Sequence, residues 1–208
     1  MRSLGQRLGV EAMTLYHYVP NREGLLDGIV ELVVDDLYGD PEVQLLPTNG
    51  WEDYLRRLGH GVRRIALAHP RAFPLVATRP PAAPWVRPPL RSLRWVEAFL
   101  TGLTSRGFSD DAAVHAYRAF TSFLLGHLLL EVASRGVNTG PVPDDEPDHV
   151  PDDPLTGYPL LMRLSDRLAE DRSAAEFSEA LDNLLVRLER YRSGDEPRSL
   201  PDERGHDR

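Results

Sequence analysis

The sequence predicts an all-α protein, a short two-helix head followed by a larger helical bundle. Three observations carry this expectation. Apolar residues recur at spacings of three and four along most of the 208 residues, the period of a helix with one buried face. Period-two alternation is almost absent, and no internal repeat appears. Capping and breaking residues punctuate the periodic segments, with Asn21, Asn49, Ser109 and Ser173 at starts and Gly39 and Gly107 at stops.

Each element follows in order. Residues 2–19, "RSLGQRLGVEAMTLYHYV", read as two short helices about a Gly9-Val10 turn, locked together by Leu4, Leu8, Val10 and Leu15. Gly9 suits a turn where a side chain would crowd or where φ must be positive. Asn21 caps a helix carrying Leu25, Leu26, Ile29, Val33 and Leu37, closed by Gly39, Asp40 and Pro41. Asn49 and Glu52 have capping-box spacing for a helix through Leu55, Leu58, Val62 and Ile65. His69-Pro70 ends it, and a short helix follows to Ala77. The segment 78–89, "TRPPAAPWVRPP", is not helical through its middle, because each Pro removes a donor and restricts its predecessor.

A helix through Leu90, Leu93, Val96, Leu100 and Leu103 then stops at Gly107. Ser109, Asp110 and Asp111 open the next, which runs to about Arg135 and is apolar nearly all round from Ala116 to Leu130. Such a helix needs cover on more than one side, from its own core and from a partner subunit. Residues 138–154, "NTGPVPDDEPDHVPDDP", read as a mobile acidic loop. Pro159 opens a helix through Leu160, Leu164 and Leu168. Ser173 and Glu176 form a capping box for the last helix, where Phe177, Leu181, Leu184, Leu188 and Tyr191 make a heptad-like seam. From Ser193 the chain is a polar tail.

Composition excludes several classes. An apolar fraction of 41% builds a sizeable core. The absence of cysteine rules out a disulfide scaffold, thiolate zinc fingers and a cysteine nucleophile, and a reducing cytoplasm is the simpler location. Met1 is followed by an amphipathic pattern, so no signal peptide is expected. The longest uncharged apolar run, residues 119–130, falls short of the roughly 20 residues of a membrane span. All 24 basic residues are Arg, a sign of a GC-rich genome. The net charge of −8 argues against indiscriminate nucleic-acid binding. Its distribution is more telling: residues 1–22 hold Arg2, Arg7 and Arg22 against Glu11, whereas residues 138–154 hold six acids and no Arg. A locally basic head on an acidic body fits contact with phosphate at one end only.

A helix-turn-helix needs a bracing helix, a tight turn and a second helix whose exposed face meets base edges. Here the outward positions are Ala12, Met13, Thr14, His17 and Tyr18, with Tyr16 at the edge, and Arg2 and Arg22 where phosphates would run. The plainer reading is an amphipathic helix pair with surface aromatics. The stretch "SLGQRLGVEAMTLYHYVPNREGLLDGI" resembles the DNA-binding head of the tetracycline-repressor-like (TetR) family. "WEDYLRRLGHGVRRIALAHPRAFPLVATRP" and "FTSFLLGHLLLE" resemble the regulatory domain of its tetracycline-binding branch.

That resemblance implies a truncated helix-turn-helix head, residues 1–45 with the connecting helix, and a ligand-binding and dimerisation domain, 46–192; the polar residues 193–208 are expected to form a disordered tail. It places DNA contacts on Arg2, Met13, Thr14, Tyr16, His17, Tyr18 and Arg22, and implies a homodimer on a palindromic double-stranded operator. The helices at about 109–135 and 173–192 would form the intersubunit four-helix bundle. In the family a further helix precedes the motif, and without it Leu4, Leu8 and Leu15 are left partly uncovered, at about 1.5–3 kcal/mol each. Met1 is therefore expected to be an internal methionine of a longer reading frame.

Tetracycline repressors hold a drug–magnesium chelate through a His before Leu-Gly-Thr-Arg-Pro and a later acid. This chain keeps Thr78-Arg79-Pro80, but the His position is Leu75, the acid position is Leu130 with Glu131 one residue on, and polar drug-binding positions are Leu58 and Val62. Leucine cannot ligate magnesium. No cofactor or metal is expected, and the effector should be a small, fairly apolar molecule meeting Tyr38, Leu58, Val62, Leu75, Thr78, Arg79 and His127. Plainer roles stand beside these: His127 as a core or interface histidine, Arg79 bracing the Pro-rich turn, Tyr38 capping the head–body junction, and "DDEPDH", 144–149, as solvated charge.

The preferred expectation is a dimeric, cytoplasmic, ligand-responsive transcriptional repressor that is not an enzyme. The alternatives are a small-molecule binding protein that has lost DNA binding and, for want of any catalytic constellation, more remotely a helical hydrolase or metal enzyme.

Overall fold

The computed structural model describes residues 2–44, 50–78, 85–88, 92–136 and 157–194. Among these residues there are ten helices and no strand. The head begins with α1 (Arg2–Leu8) and α2 (Ala12–Leu15). Gly9 turns between them with φ 67°, and a Cβ built there meets nothing within 4 Å. The backbone dihedral therefore asks for glycine at this turn, and crowding does not. α2 is a single turn, shorter than the motif suggested. The chain runs on from it through i→i−3 bonds, with Tyr16, His17 and Tyr18 N–H groups donating to the Met13, Thr14 and Leu15 carbonyls. Aromatic side chains propagate a helix poorly, and Pro20 restricts the residue before it.

α3 (Arg22–Gly39) starts where expected, and the Asn21 Oδ1 accepts from the Gly24 N–H at 2.7 Å. Pro41 does not simply end the segment. It opens a further turn, α4 (Pro41–Gln44), because its fixed φ suits a first helical position. α5 (Trp51–Ala68) follows; its expected cap, Asn49, lies outside the described residues. α6 (Phe73–Thr78) is short. α7 (Leu93–Thr104) begins three residues after Leu90, because the Ser92 hydroxyl accepts from the Trp95 N–H and fixes the start. α8 (Asp110–Ser134) is capped by Ser109 as anticipated. α9 (Pro159–Ala169) carries Pro at its first turn. For α10 (Ser173–Arg192) the cap shifts: the Asp171 carboxylate accepts from both the Ser173 N–H and its hydroxyl, so Ser173 lies inside the helix.

The core lies between α5, α7, α8 and α10, the helices that pack on one another. α8 turns Ala116, Phe120, Leu124, Leu128 and Val132 inward, and α10 answers with Phe177, Leu181, Leu185 and Leu188. Rings tie α7 to α8, with Phe99 against Phe120 at 5.4 Å and against Tyr117 at 5.8 Å. Tyr117 donates its phenol proton to the Pro88 carbonyl at 2.9 Å, and burial pushes its pKa up to about 12.

One ion pair is set into this core. Arg63 of α5 grips Glu131 of α8 with two bonds, 2.9 Å and 2.6 Å, and the Glu131 side chain is only 1% exposed. Burial by itself would raise that carboxyl. The Arg63 hydrogen bond and charge, with Ser173 and Arg135 behind them, hold it below its ordinary value.

Candidate functional site

Two features stand out, one at the N-terminal end of α3 and one along its middle. At its N-terminal side, Met13, Tyr16 and Tyr18 are 70%, 43% and 83% exposed, and Thr14 and His17 are also exposed. Leu15 is half-buried beneath them, and Arg22 is exposed at the first residue of α3. Six of the seven expected DNA-contact positions thus share one solvent-facing segment. For the seventh, Arg2, the backbone places it at the start of α1 and the side chain lies outside what is described.

Further along α3 is a cavity of about 70 Å³, walled by α3, α5, α6, α7 and α8. Val30, Val33 and Val34 form the α3 wall; Val62 and Ile65 of α5 and Trp95 of α7 face them. Among the described residues no charged side chain lines it. Thr121 of α8 does line it, 2% exposed, and its hydroxyl has no hydrogen-bond partner among them. A buried hydroxyl without a partner costs on the order of 1–3 kcal/mol, so this one is available to whatever fills the space. The mouth is polar: a second depression shares Val30, Val34 and Ser92 with the cavity and adds Glu31, Asp35 and Arg94.

The expected effector contacts distribute unevenly. Val62 lines the cavity. Leu58 is buried in the α5–α8–α10 core, and Leu75 sits half-buried on α6; neither lines the cavity. His127 packs among rings, 5.6 Å from Phe123 and 5.2 Å from Phe177, away from that wall. Tyr38 and Thr78 are placed by their backbones on α3 and α6, their side chains outside what is described, and Arg79 lies outside the described residues altogether. Sequence reasoning passed over Thr121, Trp95 and the three α3 valines. The signal for Thr121 was present: one hydroxyl on the inward face of an otherwise apolar run. Of the α3 valines only Val33 was named, as part of an apolar stripe.

Leu130, at the position of the family's acid, is 74% exposed, and the adjacent Glu131 is held by Arg63. Among the described residues no cluster of His, Cys, Asp and Glu could hold a metal, and no helix is long and apolar enough to cross a membrane.

Residues 44–191 match the family described as tetracyclin repressor-like, C-terminal domain. The chain belongs to the TetR family. Among TetR relatives, an HTH-type transcriptional regulator of Saccharopolyspora erythraea is 28% identical over 131 residues, 63% of this chain and 51% of its own length. The class C tetracycline repressor protein of Escherichia coli is 30% identical over 135 residues, 64% of this chain and 57% of its own. The chain thus spans little more than half of these two relatives. A possible TetR family transcriptional regulator from Streptomyces coelicolor A3(2) superposes with a TM-score of 0.67 at 25% identity, covering 90% of this chain and 87% of the other.

Proposed function

We propose that this TetR-family chain is a ligand-responsive DNA-binding regulator, a repressor that leaves its palindromic operator when a small, largely apolar molecule enters the cavity. One observation carries the reading: α3 starts at Arg22, directly behind the exposed 13–18 segment, and walls the cavity with Val30, Val33 and Val34. A molecule wedged against those valines bears on the same rod that carries the DNA-facing segment. Regulation then requires only that the molecule bind the two head positions with different affinity.

In this reading Arg2 and Arg22 meet phosphates, while Met13, Thr14, Tyr16, His17 and Tyr18 meet base edges and backbone. The partner subunit docks on α8 and α10, where Leu130 and Val186 are 74% and 65% exposed. The protein works in the cytoplasm and performs no catalysis. The effector is not a magnesium chelate, because Glu131 is committed to Arg63 and Leu75 offers no ligand atom.

The test is binding to the DNA immediately upstream of its own gene across a salt series. The regulator loses affinity steeply as salt rises, with a log–log slope of roughly −0.9 per phosphate neutralised, and replacing Thr14 and His17 by Ala weakens that site selectively. A flat salt response with no site preference would make the chain a small-molecule binding protein without DNA binding.

A further inference from the structure

The cavity also specifies what it binds. We propose that its ligand is an uncharged, mainly hydrocarbon molecule carrying one hydrogen-bond-accepting oxygen, a ketone or the like, seated on the Thr121 hydroxyl against Trp95. This rests on the reading of the cavity as the effector site and narrows that site to a chemical class.

Three observations converge on it. First, among the described residues no charged group lines the interior, so a charged ligand would be stripped of water with none of them to replace it. Second, the described wall offers two hydroxyls and the Trp95 indole N–H; the Ser92 oxygen already accepts from the Trp95 backbone N–H, which leaves Thr121 as the hydroxyl with no bond made. Third, Thr121 lies in mid-helix, where a threonine hydroxyl commonly bonds to the carbonyl one turn back, yet it has no partner. Its proton therefore remains for an incoming acceptor. The charged residues Glu31, Asp35 and Arg94 stand only at the mouth, where a ligand's outer end stays in water.

Equilibrium dialysis with a matched pair of probes tests the claim: benzophenone, and 1,1-diphenylethylene, in which the carbonyl oxygen is replaced by a methylene of similar shape. The variant is Thr121→Val, which keeps the side-chain outline and removes the hydroxyl. The expected result is that T121V weakens benzophenone about two- to tenfold, the worth of one neutral hydrogen bond, while leaving 1,1-diphenylethylene unchanged or slightly tighter. The anionic 4-benzoylbenzoate should bind at least about tenfold more weakly than benzophenone. Val76→Phe, which intrudes on the same cavity, should abolish binding of both neutral probes while thermal melting shows the chain still folded.

The proposal is overturned if neither neutral probe binds saturably, if T121V weakens both probes or neither, or if the carboxylate binds as well as the ketone. Dialysis involves no DNA, so the two readings fail separately. A Thr121-dependent ketone that leaves operator affinity unchanged supports the ligand class and removes the release mechanism.

Discussion

Arg63 and Glu131 form a buried polar contact that is costly to disturb. The carboxylate is nearly inaccessible, so its charge is tolerable only while the guanidinium stays in place. Arg63→Ala should therefore cost roughly 3 kcal/mol of stability near neutral pH, read from denaturant midpoints; Arg135, at 3.3 Å, is a partial substitute and keeps the loss from being larger. The sign of the pH dependence follows from the direction of the shift. Glu131's folded-state pKa lies below its ordinary 4.5, so its contribution is present above that value and is lost as pH falls through the folded pKa. Acid unfolding curves should then be shallower in Arg63→Ala than in the parent chain. A variant with parental stability and an unchanged acid limb would contradict the role assigned to the pair.

At the scale of the elements, Gly102 of α7 lies hard against a side chain of α5. A Cβ added at Gly102 would stand 2.8 Å from the Tyr54 ring of α5, and Arg106 covers the same ring at 4.6 Å. Alanine is the better helix former by about 1 kcal/mol, so propensity alone says Gly102→Ala stabilises. Close packing predicts the reverse: a net loss of about 1–3 kcal/mol from displacing the ring or spreading the helices, seen as a lower melting temperature. Propensity was legible in the sequence and this contact was not, because Tyr54 and Gly102 are brought together only by the fold. The same division runs through the other elements. The starts at Asn21 and Ser109 could be read because the cap, the first turn and the apolar period all agree within a few residues. The start of α7 could not: the pattern pointed to Leu90, and Ser92 decides it through one side-chain bond. For the cavity, periodicity identified buried faces without saying which of them meet around a void, so Val62 was named and Thr121, on the facing helix, was not.

At the scale of the whole molecule, the outward surfaces of α8 and α10 carry apolar side chains that the chain itself does not cover. Leu130 and Val186 are the clearest, and α9 buries none of its residues. If these helices form the proposed subunit contact, Val186→Asp should turn a dimer into a monomer in sedimentation equilibrium and reduce operator affinity at least tenfold, with the melting temperature of the monomer otherwise near the parental value. A dimer that survives both Val186→Asp and Leu130→Asp would place the contact elsewhere. In the proposed reading operator binding depends on this geometry, because two heads would have to meet half-sites about one helical turn apart, or a multiple of it.

The three tryptophans occupy three unlike surroundings: Trp51 lies edge-on to Phe108, Trp85 is 81% exposed, and Trp95 stands in the cavity wall. Their emission accordingly separates by environment. Iodide should reach Trp85 first, and a guest molecule in the proposed effector site should dim or shift the light of Trp95, so the unlabelled protein would report its own occupancy optically.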